Sequence, residues 1–283
     1  MQESRYVHRL TVSSPTLLPA TTTNVYVITH HGEAIIIDAG YEQEDSTKEI
    51  ISYIESMGQP QVKAIILTHY HRDHSPGAKA LSDHFQCPIW AHAQEVENIH
   101  REISPYKVEK ALTEGDRIEI GGVPIFVLHT PGHTKGHISL WMEEEKILFV
   151  GDNAAGEGSV WIGPPDGDLT HYLQSLQRLK SFHAERLAPG HGHMIHDPDA
   201  CIDFLITRRL ERESQILKLL QSSPLSVSQL VDLIYRDQIH PSVRWAAERT
   251  IEGHIMKLLN ERRVQIASAD RTPKYALSSS LTT

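Results

Sequence analysis

Four side chains able to bind a metal ion fall within His69-Tyr70-His71-Arg72-Asp73-His74. The string lies between the apolar run Ala64–Leu67 and Ser75-Pro76, an N-cap and first-position pair that opens a helix. Such a strand-to-helix turn bends the backbone sharply and lets several side chains converge. Ligands at i and i+2 leave a strand end on the same side, while Asp73 and His74 enter the turn and can aim at a second point. That geometry suits two metal centres better than one. Three more candidates follow apolar runs: His133 in Thr130-Pro-Gly-His-Thr134, Asp152 in Gly151-Asp-Asn153, and His191 in Pro189-Gly-His-Gly192. Each has a glycine beside it, which permits close backbone approach.

The tally is five histidines and two aspartates. A lone histidine after a strand is usually a satisfied surface or core residue. For the set that reading is weak, because desolvating so many titratable groups without a cation is costly. Nitrogen and oxygen donors without thiolate suit zinc, with iron or manganese as alternatives. The only cysteines, Cys87 and Cys201, stand far apart in no ligand spacing. They exclude a disulfide framework or thiolate zinc site and suit a reducing compartment.

The elements that must position these residues read as layered α/β. Short β-branched runs predict strands at Val25–Ile28, Ala34–Asp38, Ala64–Leu67, Ile89–Ala91, Arg117–Ile120, Ile125–His129, Ile138–Met142, Ile147–Val150 and Arg186–Ala188. Helices are expected over Thr47–Met57, from Ser75 to about His84, and over Leu169–Phe182 with Leu173, Leu176 and Leu179 on one stripe. From about residue 199 the pattern changes. Helices Phe204–Leu220, Ser226–Tyr235 and Arg244–Asn260 precede β-like pieces Val264–Ala267 and Lys274–Leu277, joined by the turn-rich Ser268–Pro273. This is the outline of a winged-helix module, so the domains are read as 1–200 and 201–283. The tail Ser278–Thr283 is expected to fray.

A chain of 283 residues with 40% hydrophobic and 22% charged side chains is globular. No apolar run approaches the ~18 residues of a membrane span, and Met1–Val12 carries no signal-peptide core. The expectation is a cytoplasmic protein without a membrane partner. Residues 1–200 carry a net −12 and residues 201–283 a net +3. An acidic body opposes non-specific phosphate binding. In the tail Arg244, Arg249, Lys257, Arg262, Arg263, Arg271 and Lys274 are interleaved with Glu248, Glu252, Glu261 and Asp270, the pattern of an ion-laced surface. DNA binding is not expected. The module is expected to close one wall of the cleft or to form a homodimer contact.

At the ligand strings the chain resembles the metallo-β-lactamase superfamily, over roughly residues 10–195 and all five of its motifs. The resemblance implies a four-layer αβ/βα sandwich with metals in a cleft at one edge of two sheets. It implies that His69, His71 and His133 hold one metal, that Asp73, His74 and His191 hold the other, and that Asp152 bridges them. Asp38, in Ile37-Asp38-Ala39-Gly40, matches the carboxylate that supports the metal loop, although a strand-terminating turn residue is the equal alternative. Thr68-His-Tyr-His-Arg-Asp-His-Ser75, Gly151-Asp-Asn-Ala-Ala-Gly-Glu-Gly158 and Pro189-Gly-His-Gly-His-Met-Ile-His196 are similar to the branch with an appended winged helix. That branch includes an animal mitochondrial endoribonuclease and bacterial hydrolases. Thr130–Ile138 also looks like hydroxyacylglutathione hydrolases, whereas secreted antibiotic-hydrolysing lactamases match poorly.

The reaction expected is hydrolysis by hydroxide formed on two zinc ions, with Asp73 and Asp152 holding the nucleophile. A small ester or thioester is the preferred substrate. Single-stranded RNA is the alternative, and a non-enzymatic DNA-binding regulator is disfavoured by the complete ligand set. His137 is read as structural before leaving-group donor. His171 and Tyr172 are lesser substrate-contact candidates. His92, His100, His193 and His196 are read as surface or loop residues, and Gly156–Gly158 as a tight loop near the cleft.

Overall fold

A computed structural model of the chain describes residues 1–15, 21–268 and 271–278. Two sheets form its centre. The first runs β1 (Val7–Ser13), β2 (Thr22–His30), β3 (Glu33–Ile37), β4 (Gln61–Leu67), β5 (Ile89–His92) and β6 (Val108–Leu112), in that spatial order. The second holds β7 (Arg117–Ile120), β8 (Val123–His129), β9 (Ile138–Met142), β10 (Ile147–Gly151) and β11 (Arg186–Pro189), ordered β11-β10-β9-β8-β7. In the first sheet β3 to β6 are parallel, so four strands run in the same direction. In the second, β10 and β11 are the parallel pair.

Alternation along the strands sends one set of side chains between the sheets. Tyr26, Ile28, Ile35, Ile37 and Ile66 meet Ile118, Ile125, Val127, Leu140 and Phe149 there. The opposite face of the first sheet is covered by α1 (Glu44–Ser56), α2 (Ala78–Phe85) and α3 (Val96–Ile103), through Ile50, Ile54, Leu81, Ile99 and Ile103. The opposite face of the second is covered by α4 (Leu169–Lys180) and the start of α5 (Pro198–Leu220), through Leu169, Tyr172, Leu176, Ile202 and Leu205. Helix, sheet, sheet, helix is the four-layer αβ/βα sandwich.

A separate core joins Ile216 and Leu220 of α5 to α6 (Val227–Tyr235), α7 (Arg244–Asn260) and the hairpin β12 (Val264–Ser268) with β13 (Lys274–Leu277). One helix therefore contributes to two cores. It starts at Pro198, six residues before the expected Phe204, because Asp197 caps it and accepts from the Ala200 amide. Ser226 closes a capping box with Gln229 at the start of α6. The turn expected at Ser268–Pro273 and the tail Ser278–Thr283 lie partly outside the described residues.

Three elements were not anticipated: β1, β6 and α3. The helix expected from Ser75 begins at Ala78 instead, since the Ser75 hydroxyl donates to the Tyr70 and His71 carbonyls and shapes the turn. Among the described residues, no helix is long and apolar enough to cross a membrane.

Candidate metal centre

The seven residues come from four strand ends. β4 delivers the 68–74 turn, β8 delivers His133, β10 delivers Asp152 and β11 delivers His191. Their donor atoms form three overlapping groups: His69, His71 and His133; His69, His74 and Asp152; Asp73, His74 and His191. Within each group they lie within 4.8 Å of one another. His133 Nε2 is 2.9 Å from His71 Nδ1. His191 Nε2 is 3.2 Å from Asp73 Oδ2 and 3.4 Å from His74 Nε2. Asp152 stands between, 3.5 Å from each of His74, His133 and His191.

The close approach depends on small residues. A Cβ on Gly190 would sit 2.5 Å from Asp152 Oδ1, and one on Gly151 would sit 2.7 Å from His137 Nε2. Gly151 also has φ +47°, in the region that favours glycine.

Outer hydrogen bonds fix which ring nitrogen faces inward. His74 Nδ1–H donates to Asp38 Oδ2 at 2.8 Å, and Asp38 Oδ1 accepts the Thr68 amide at 2.8 Å. The Thr68 hydroxyl reaches both Asp38 oxygens and lies 2.9 Å from His69 Nδ1. Asp38 thus supports two ligand histidines. His191 Nδ1–H donates to the Thr22 carbonyl at 2.7 Å, and His133 Nδ1–H to the Trp161 carbonyl at 3.0 Å.

Burial and neighbouring charge divide the cluster. Burial, with His71 next to it, pushes His133 down to about 4, and burial with three histidine neighbours lowers His69. Burial also opposes charge on His191 and His74, but the surrounding aspartates outweigh it and raise them to about 11 and about 9. Desolvation resists ionisation of Asp152, yet His191 and His74 hold its carboxyl well below the usual range.

The donor set fits divalent cations. His69 Nε2 and Asp152 Oδ1 are buried without a hydrogen-bond partner, both within the overlapping groups. Orphaned acceptors of this kind are expensive unless something binds them. All donors are nitrogen or oxygen, as zinc accepts.

Among the secondary candidates, His137 is fully buried. Its Nε2 accepts the Asp152 amide at 3.1 Å and its Nδ1–H donates to the Thr130 hydroxyl at 3.2 Å, so it holds the β10 turn. Tyr172 is a core residue whose hydroxyl donates to the Asn153 carbonyl. The 156–158 loop packs against the His191 loop, with Gly156 N–H donating to the His191 carbonyl. His92 is buried, not superficial, and stacks on His129 at 4.1 Å.

Three supporting residues carried no signal. Glu95, 1% exposed, accepts from the Tyr70 amide, the Thr134 hydroxyl and the Gly136 amide, so one carboxylate joins the His71 and His133 loops. Trp161 supplies the carbonyl for His133. Asp166 Oδ2 lies 3.7 Å from His71 Nε2, the nitrogen that faces away from His133.

A cavity of about 540 Å³ adjoins this group. Gly132 and Thr134, on either side of His133, line it, as do Pro131, Pro164, Pro165, Lys135, Asp166 and His171. Met256 of α7 completes the wall, so the C-terminal module shapes it.

Residues 18–191 match the Metallo-beta-lactamase superfamily, and residues 226–271 match the Beta-lactamase associated winged helix domain. The Drosophila melanogaster "Beta-lactamase-like protein 2 homolog" is 29% identical over 280 residues, covering 93% of this chain and 91% of that one. An atrochrysone carboxyl ACP thioesterase of a Cryptosporiopsis species is 26% identical over 274 residues, covering 92% and 81%. A beta-lactamase domain protein from Burkholderia ambifaria superposes with a TM-score of 0.87 at 19% identity, over 98% of this chain and 93% of that one.

Proposed function

From the premise that the chain belongs to the metallo-β-lactamase superfamily and is a hydrolase, we propose that it cleaves a small ester or thioester with two zinc ions. The observation that carries this reading is the cavity beside His133, walled by Pro131, Pro164, Pro165 and Met256. Its size and apolar walls suit an acyl chain or an apolar leaving group. The thioesterase activity named for the Cryptosporiopsis relative supports the same substrate class.

His69, His71 and His133 would hold one ion, and Asp73, His74 and His191 the other, with Asp152 shared. Two bound divalent ions lower the pKa of water and polarise a scissile carbonyl. The chain's own groups act by position. Asp73 and Asp152 present carboxylate oxygens to the space between the groups, where they would hold and orient an attacking water. Thr68 and Asp38 engage the Nδ1 atoms of His69 and His74 and so turn each Nε2 inward. The apolar wall orients the substrate and excludes bulk water.

Charge on the C-terminal module supports a small molecule over RNA. Arg244 pairs with Asp232 at 2.7 Å and Glu248 at 3.1 Å, and Arg249 with Glu252 at 2.7 Å. Lys257 and Arg263 both meet Glu213 and Glu261. A cytoplasmic location accords with the two unpaired cysteines.

The test is a panel of acyl thioesters, lactones, simple esters and single-stranded RNA on zinc-loaded protein. Cleavage of acyl substrates with little response to salt is expected. RNA cleavage that weakens steeply with salt, and weakens further on charge reversal at Arg262 and Arg263, would establish the ribonuclease instead.

A further inference from the structure

We infer that the C-terminal module braces one of the two ligand groups, His69–His71–His133, through residues 160–168, and leaves the other to the sheets. The inference rests on reading these groups as cation sites.

The segment between Asp152 and α4 passes under α7. Its backbone is fastened to the module at several points. Arg209 of α5, 6% exposed, donates from Nη2 to the Val160 carbonyl at 2.6 Å. Trp161 Nε1–H donates to the Ala246 carbonyl of α7 at 3.3 Å, and its ring meets Trp245 edge-on at 6.0 Å. Gly163 lies against the α7 backbone, where a Cβ would come within 2.8 Å of the Arg249 carbonyl oxygen. Gly253 faces it from the helix side, where a Cβ would be 3.6 Å from Gly163 Cα. Two glycines facing each other let strand-end loop and helix touch backbone to backbone.

The same segment reaches inward to two ligands. The Trp161 carbonyl accepts from His133 Nδ1 at 3.0 Å. The Asp166 carboxylate approaches His71 Nε2 at 3.7 Å and also takes the Tyr70 hydroxyl. A single residue, Trp161, therefore holds α7 with its side chain and His133 with its backbone. Among the described residues, the second group has no such link. Its outer partners are Asp38 at the end of β3 and Thr22 in β2, and Asn24 ties down the His191 loop through the Pro189 and Gly192 carbonyls. Outer partners set ring orientation and ligand basicity, so a change at the α7 contact must act on one group only. Trp161 and Gly163 are positioning residues.

The experiment is chelator competition with zinc on the full chain, resolving the two stepwise affinities. Trp161→Phe removes the indole donor and keeps the aromatic ring and the carbonyl. It should weaken one constant by roughly 10- to 100-fold and leave the other in place. Gly163→Ala disrupts the contact independently, with every bracing side chain retained, and should weaken the same constant. Each change is then repeated in two backgrounds. With His191→Ala, where the first group keeps its ligands, the remaining zinc should weaken; with His71→Ala it should not. Equal weakening of both constants, no weakening in folded protein, or weakening in the His71→Ala background would overturn the brace while leaving the proposed function intact. Wild-type protein that takes up no zinc would overturn both.

Discussion

The two groups flank Asp152 but are built from different parts of the chain. The Asp73–His74–His191 group is supported by Thr22 of β2 and by Asp38 at the end of β3. The His69–His71–His133 group draws its outer partners at His133 and His71 from a long connection held by the C-terminal helices. One group is set by hydrogen-bonded strands, the other by a loop whose position depends on a second core. The cavity opens beside the loop-supported group. Substrate contacts and the adjustable ligands therefore lie on the same side, where loops vary without disturbing the sheets.

The largest effect should come from the residue common to both. Asp152→Ala is expected to lower kcat/KM by more than about 100-fold, beyond the range for outer partners. It should weaken both zinc constants together, as chelator competition would show. A loss confined to one constant would mean that Asp152 serves one group.

Next is Asp38→Asn, the counterpart of Trp161→Phe. An amide places a donor against His74 Nδ1–H or Thr68. Zinc affinity at the sheet-supported group should fall by roughly 10- to 100-fold. Because Thr68 also links Asp38 to His69, a smaller loss at the other group is expected. A larger loss there would reverse the assignment of supports.

His137→Ala should act on stability more than on chemistry. It strips partners from the Asp152 amide and the Thr130 hydroxyl. A cost of about 1–3 kcal/mol is expected from denaturant midpoints, with less activity lost than for Asp73→Ala. Equal losses of activity would place His137 at the substrate.

The difference between the groups also explains what the sequence disclosed. All seven clustered residues were legible because donor types sit at short spacing or beside glycines after apolar runs. Asp38 was legible through the resemblance, since its place at a strand end alone reads equally well as a turn residue. Trp161 and Asp166 were not, since one acts through its carbonyl and the other across a fold contact, and neither leaves a spacing pattern. Glu95 sits in a short helical turn like any acidic surface residue. The missed elements have physical reasons too. β6 reads Val-Glu-Lys-Ala-Leu and is mostly exposed, while α3 buries only Ile99 and Ile103, too few to set a period. The module was legible because its helices carry caps and apolar stripes. That it shares α5 with the sandwich core was not, because a stripe does not name its partner.

The smallest expected effect lies in the module itself. His254 of α7 is 1% exposed and neither ring nitrogen has a partner. Burial, then Arg209 and Arg212 from α5 and Lys257 on its own helix, lower it to about 3. The paired Glu213 lies on the same α5 face and is taken up by Lys257 and Arg263. In the unfolded chain the group takes a proton below about 6.5, whereas the folded chain stays neutral. Stability should therefore fall as pH drops from about 6.5 toward 3, by up to ~1.4 kcal/mol per unit. Urea midpoints at pH 7.5 and 5 should show His254→Gln losing less than wild type across that interval. An identical loss in both would assign the acid sensitivity elsewhere.

Two cations, as proposed, would sit in two unlike groups joined by one carboxylate. Anomalous diffraction at the zinc edge, from crystals of zinc-loaded protein, tests this arrangement directly. Two peaks are expected on either side of Asp152, one ligated by His69, His71 and His133 and one by Asp73, His74 and His191. A single peak, or peaks away from these side chains, would contradict it.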